Sequence, residues 1–78
     1  MKLLAFGIVK EIFGAPQVNI DIEGGEDVAA LKKSLEKKYP KLGELGSYMI
    51  AVNNEYASAN DIITANDEIA VIPPVSGG

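Results

Sequence analysis

Only one stretch of the chain carries a helical period long enough to cover a sheet. Val28, Leu31, Leu35 and Tyr39 recur at spacings of three, four and four, behind Asp27 and ahead of Pro40. An Asp side chain accepts hydrogen bonds from the free N–H groups of a helix start, and Pro cannot continue a helix, so the spacing predicts one amphipathic helix. The sequence around it reads as short strands. Met1 to Val9 is apolar-rich and bounded by Lys10-Glu11, which predicts a first strand. After the turn signal Gly14-Ala15-Pro16, Gln17 to Glu23 alternates polar and apolar residues without a break, the pattern of a half-buried strand, and Gly24-Gly25 reads as a turn.

Beyond Gly43 and Gly46, Ser47 to Val52 reads as a third strand. Asn53-Asn54 tolerates positive φ and can turn it back into Glu55-Tyr56-Ala57 as a short hairpin. Thr64-Ala65-Asn66-Asp67 is a second polar turn, and Glu68 to Ile72 is a last strand stopped by Pro73-Pro74. The expected order is β-β-α-β-β-β. An opening hairpin, one crossing helix and three further strands imply an α+β roll, a mixed sheet with one main helix packed on one face. That architecture resembles the ubiquitin-like β-grasp. With 78 residues there is room for one domain, expected over 1–73, followed by an extended tail over 74–78.

The inventory excludes several chemistries. The chain has no Cys, His, Trp or Arg, so disulfides, His or Cys metal sites and His-activated nucleophiles are ruled out. Eleven acidic residues against seven lysines give a net charge of −4. That balance opposes phosphate backbones and anionic membranes and favours a basic protein partner, so neither a nucleic acid nor a membrane is expected. No apolar run has the length of a membrane span and no signal-peptide pattern opens the chain; a cytoplasmic protein is expected. Glu26-Asp27 and Asp67-Glu68 read as solvated turn charges, since adjacent residues on a turn point apart. Lys32, Lys33, Lys37 and Lys38, with Glu36 among them, read as a solvated helix face.

The end of the chain is distinctive because of its position. Pro73 and Pro74 fix φ and favour an extended segment directly after a strand, while Val75, Ser76, Gly77 and Gly78 carry almost no bulk. Five residues from Pro74 to Gly78 reach at most roughly 17 Å. Two residues without Cβ let a backbone enter a channel too narrow for side chains. The group such a tail presents is the carboxylate of Gly78, a poor electrophile until ATP converts it to an acyl-adenylate. The chain carries no phosphate-cradling motif, so activation belongs to a partner. The activated carbonyl can then accept sulfur, giving a thiocarboxylate, or an amine, giving an amide.

Met1 to Val9, Ala51-Val52-Asn53, Ile63-Thr64-Ala65-Asn66-Asp67-Glu68-Ile69-Ala70 and above all Pro73-Pro74-Val75-Ser76-Gly77-Gly78 resemble the sulfur-carrier small subunits of molybdopterin synthase. Asn66, Lys10 and Ile72 stand where that family commonly has Gly, Arg and Phe. The resemblance implies a cycle with Gly78 as the reacting residue and Pro74, Val75, Ser76 and Gly77 as the threaded tail. An adenylating enzyme like the ubiquitin-activating enzymes would use ATP and Mg, and a sulfur donor protein would form the thiocarboxylate. The large synthase subunit would then take the sulfur into a cyclic pyranopterin phosphate to build the molybdopterin dithiolene. No cofactor is expected on this chain. Three other readings stay open: a ubiquitin-like modifier of lysines, a thiazole-synthesis sulfur carrier, and a β-grasp binding module with an inert tail.

Strand parity predicts the docking surface. In the last strand Glu68, Ala70 and Ile72 share one face and Ile69 and Val71 the other; in the first, Lys2, Leu4, Phe6 and Ile8 group together. Glu68 and Lys2 mark the solvent side. Phe6 and Ile72, joined by Tyr56 if the short hairpin lies beside these strands, are therefore expected to form an exposed apolar patch at the root of the tail that binds partners.

Overall fold

The computed structural model of the chain describes residues 1–21 and 25–74. Strand β1 (Lys2–Ala5) is followed by helix α1 (Gly7–Phe13) and strand β2 (Gln17–Asn19). Helices α2 (Val28–Lys38) and α3 (Pro40–Gly43) come next, then strands β3 (Met49–Val52), β4 (Glu55–Tyr56) and β5 (Ile69–Ile72). The sheet order is β2-β1-β5-β3-β4. The central pair β1 and β5 is parallel and the remaining pairs are antiparallel, so the sheet is mixed. This is the expected α+β grasp, with α2 as its main helix.

Helix α2 forms as the spacing predicts. The Asp27 carboxylate accepts the Ala30 N–H at 2.8 Å, and the Asp61 and Ala59 carbonyls accept the N–H groups of Val28 and Ala29. Three donors of the helix start are thereby satisfied. Val28, Leu31 and Leu35 face the core and are fully buried, and Tyr39 ends the helix half-buried. Pro40 stops α2 but also starts α3, because Pro suits the first turn of a new helix.

The opening segment departs from the expected strand. It stays extended only to Phe6 (φ −131°, ψ 151°), and Gly7 at φ +55° then turns the chain into α1. Val9, Ile12 and Phe13 recur at helical spacing; Val9 and Phe13 are buried and Ile12 half-buried. Lys10 and Glu11 lie within this helix instead of bounding a strand, and Gly14 (φ +79°) ends it by donating to the Lys10 carbonyl at 2.9 Å. The expected opening hairpin is thus an antiparallel pair with a helix in its connection. The chain has three helices among the described residues where one was expected.

Strand ends also differ. Strand β2 covers Gln17–Asn19, with Ile22, Glu23 and Gly24 of the expected strand and turn outside the described residues. Strand β3 begins at Met49, leaving Tyr48 to bury its ring and donate its hydroxyl to Glu36 at 2.6 Å. Strand β5 begins at Ile69, because the Glu68 N–H is taken by the Asn53 side chain. Asn53 and Asn54 turn the β3–β4 hairpin at φ 51° and 69°, as anticipated. Asn66 does not have positive φ, so its turn needs no left-handed residue there. That turn is held by the Asp67 carboxylate, which accepts from the Thr64 N–H and the Asn53 amide.

All three helices lie on one side of the sheet. Leu3, Ala5, Ile50, Ile69 and Val71 point into the core beneath Val9, Leu31, Leu35 and Leu42. Phe13 and Tyr39 stack with ring centroids 4.5 Å apart, tying α1 to the end of α2. Among the described residues no helix covers the opposite face of the sheet.

Candidate docking face and tail root

Strand register builds the uncovered face. Gln17 pairs with Leu4, Leu4 with Ala70, Ala70 with Ala51, and Ala51 with Tyr56, so one row of residues crosses all five strands. Two alanines occupy its centre while larger side chains stand on either side. The result is a shallow groove of about 290 Å³ with Ala51 and Ala70 as its floor. Leu4 and Phe6 form one wall, Asn54 and Tyr56 the other, and Glu68 and Ile72 flank Ala70 along β5. Ala51 is only 6% exposed yet lies outside the main core cluster, being covered by its neighbours on this face.

Phe6, Tyr56 and Ile72 therefore line one groove: parity put Phe6 and Ile72 on the solvent side, and the β3–β4 pairing brings Tyr56 to them. Phe6 is 49% exposed and Tyr56 66%, while Ile72 is half-buried. Ile8 does not belong to this group: α1 carries it away from the strand, although it remains exposed. Phe6 is a ridge, since a second depression on its other side is lined by Gly7, Lys10, Pro16 and Gln17 together with Leu4 and Phe6 itself. Leu4, Ala51, Asn54 and Ala70 were missed as site residues. Their signal is a register in which two small residues pair across adjacent strands, which no single strand reveals.

The last described residues follow Ile72, which lines this groove. Pro73 and Pro74, half-buried, directly follow Ile72; Val75, Ser76, Gly77 and Gly78 lie outside the described residues. The acidic pairs have structural duties: Asp27 caps α2, and Asp67 closes a turn whose hydrogen bonds hold its carboxyl below the usual carboxylate range. Among the described residues no group of three or more metal-ligating side chains comes together. Lys32 is not part of a free basic face, for its ammonium lies over the Tyr48 ring at 4.7 Å and donates to the Tyr48 carbonyl at 3.3 Å.

Residues 3–78 match the ThiS family. The chain belongs to the ThiS family. The molybdopterin synthase sulfur carrier subunit of Dictyostelium discoideum is 44% identical, over 99% of this chain and 94% of that one. The resemblance read from the sequence is thereby borne out. The crystal structure of SAMP1 from Haloferax volcanii superposes with a TM-score of 0.79 at 27% identity, over 99% of this chain and 97% of that one. A complex of subunits 1 and 2 of the molybdopterin-converting factor from Helicobacter pylori contains a chain that superposes with a TM-score of 0.66 at 27% identity, covering 99% and 96%. No helix among the described residues is long and apolar enough to cross a membrane.

Proposed function

We propose that this chain is the sulfur-carrier subunit of a molybdopterin synthase and works as a reagent regenerated each cycle. The observation that carries the reading is the apolar groove between Phe6, Tyr56 and Ile72 at the foot of a Pro-Pro-Val-Ser-Gly-Gly tail, on a chain that matches the ThiS family through Gly78. In this reading the groove docks on each partner in turn, while Pro74, Val75, Ser76 and Gly77 thread into the partner's active site. An adenylating enzyme of the ubiquitin-activating type, with ATP and Mg, joins the Gly78 carboxylate to AMP and releases pyrophosphate. A sulfur donor protein then displaces AMP and leaves a thiocarboxylate. On the large synthase subunit the thiocarboxylate sulfur forms a bond to a side-chain carbon of a cyclic pyranopterin phosphate and displaces the oxygen that carbon carried. Hydrolysis of the acyl link returns the carboxylate, and two such transfers complete the dithiolene. The pterin site and catalytic side chains belong to the large subunit, this chain binds no cofactor of its own, and the cycle is cytoplasmic.

The exposed groove supports this reading because a tail alone provides little specificity. Apolar side chains such as Phe6 and Tyr56 left in water at the tail root supply the anchor that orients it. The likeness to SAMP1, a small archaeal modifier protein, favours a second reading in which Gly78 forms amides with lysines. Mass spectrometry of the carboxyl terminus separates them. After incubation with the activating enzyme, ATP, Mg and sulfur donor, the chain is expected to exchange one oxygen for sulfur and to transfer that sulfur to the pterin on the large subunit. A product found only as a lysine-linked conjugate establishes the modifier, and a thiocarboxylate consumed only in thiazole synthesis assigns that pathway. No change at Gly78 leaves a binding module.

A further inference from the structure

The sheet ends at β2 with its outer edge open. The Ala5 N–H donates to the Pro16 carbonyl and the Ile20 N–H to the Met1 carbonyl, with Leu3 beside Val18 between them. Pro16, Val18 and Ile20 are therefore the residues that bond to β1, and the N–H and C=O groups of Gln17 and Asn19 turn the other way. Among the described residues nothing hydrogen-bonds to those groups, and both residues are exposed. They offer two donors and two acceptors about 6.8 Å apart, the repeat of an incoming strand. The other edge of the sheet is poorer. Strand β4 is two residues long, and just past it the Ser58 N–H is already taken by the Asp61 carboxylate.

Two further features lie along the β2 edge. Val18 and Ile20 pack on the helix side of the sheet, and a cleft of about 240 Å³ lies between the end of β2 and α2. Ile20 and Leu35 form its apolar part, with Ser34, Lys38 and Asp21 around them. The second feature is charge. Lys2 stands beside Asn19, Lys10 lines a depression with Pro16 and Gln17, and Lys38 borders the cleft. Two carboxylates share this surface, Asp21 in the cleft and Glu11 near Lys10. No lysine follows Lys41, whereas five carboxylates do, so the edge lies in the lysine-bearing half of an acidic chain.

We propose that the β2 edge is a second docking site, which takes an extended acidic segment of a protein partner as a sixth strand. Backbone bonds to Gln17 and Asn19 supply the pairing, an apolar side chain enters the cleft over Ile20 and Leu35, and carboxylates meet Lys2, Lys10 and Lys38. A second copy of the chain fits less well. Two such edges laid together bring like lysines near one another and add the repulsion of two chains of net charge −4. No residue lining the groove between Phe6 and Tyr56 belongs to β2, so the edge can be held while the groove is docked. The site is independent of the chemistry at Gly78.

The test is a titration of the isotope-labelled full chain, followed by amide NMR and calorimetry. The probe is a capped peptide with a valine-isoleucine-valine centre between two pairs of aspartates. Saturable binding is expected below about 1 mM, with the Gln17 and Asn19 amides slowed in hydrogen exchange. The same peptide with lysines in place of aspartates is expected to bind at least about tenfold more weakly. Asn19→Pro deletes one outward donor without touching the β1 ladder, and should weaken binding at least about fivefold with Tm little changed. Lys38→Glu, on the exposed surface of α2, should weaken it at least about threefold and is read by itself if Asn19→Pro does not fold. Absence of saturation, shifts confined to Leu4, Phe6 and Tyr56, equal binding of the lysine peptide, or undiminished affinity in a folded variant overturns the proposal. Protection of Gln17 and Asn19 that grows with the concentration of the peptide-free chain gives the edge to a second copy and overturns it as well.

Discussion

The two faces of the sheet are made by the same strands and have opposite fates. On one, Leu3, Ile50, Ile69 and Val71 are almost completely buried beneath the helices. On the other, alternating with them, Leu4, Ala51, Ala70 and Ile72 carry no helix among the described residues, and Phe6 and Tyr56 are exposed beside them. Both faces are apolar, so hydrophobicity alone does not tell the covered face from the open one. The difference is volume: large aliphatic side chains interlock on the covered face, whereas paired alanines on the open face leave a hollow that no described residue fills.

The largest effect is expected on the covered face. Ile69→Ala or Leu3→Ala should cost about 2–5 kcal/mol, a large share of the roughly 5–15 kcal/mol that holds a small domain together, whereas Ile72→Ala should cost less than about 1 kcal/mol. Urea denaturation of the three variants checks this; equal losses would erase the distinction between the faces. Next comes binding. Phe6→Asp places a charge on the ridge of the open face and should weaken association with both the activating enzyme and the large subunit by at least about tenfold, with little change in Tm. A folded Phe6→Asp chain that binds both partners normally would remove Phe6 from the interface.

Ala70→Leu sharpens the comparison by filling the hollow instead of charging it. Affinity for the large subunit should fall about tenfold while stability is kept, because the added side chain enters a groove and not the core. Calorimetric titration of the folded variant reads this directly, and undiminished affinity would show that the floor takes no partner side chain. Smaller effects belong to the polar ties behind the covered face. Tyr48→Phe removes the hydroxyl donated to Glu36 and should cost about 1 kcal/mol. Burial, followed by the Glu36 hydrogen bond and charge, pushes the Tyr48 phenol well above its ordinary pKa. The native state therefore holds a proton that the unfolded chain releases above about pH 10, and stability should fall from there upward, less steeply in Tyr48→Phe.

The smallest effect is at Asp67. Its carboxyl is held low, first by the Thr64 backbone hydrogen bond and then by the Asn53 amide. Its stabilisation is present above the ordinary carboxylate range near pH 3.9 and disappears as pH falls through the lower native value. Thermal melts between neutral and acid pH should show Asp67→Ala slightly less stable at neutrality and converging with the unsubstituted chain in acid.

Local chemistry by itself determined much of this chain. The Asp27 cap and Pro40 delimit α2, the Asn pair turns the β3–β4 hairpin, and alternation assigns Ile69 and Val71 to one face and Ala70 and Ile72 to the other. Each depends on residues within a few positions of one another. The order of the tail, Pro73-Pro74 followed by small residues to Gly78, was likewise legible as composition. Helix α1 was not, because seven residues form too little helix to persist alone and Ile8-Val9 suit a strand equally well; burial of Val9 and Phe13 beside Tyr39 decides it. The groove could not be read from one segment either. Ala51 and Ala70 become a floor only when β3 and β5 pair in their observed register, and Gly7 comes against Pro73 only when β5 lies parallel to β1. Those pairings join residues far apart in the chain, and the packing of the whole core against one face of the sheet selects them.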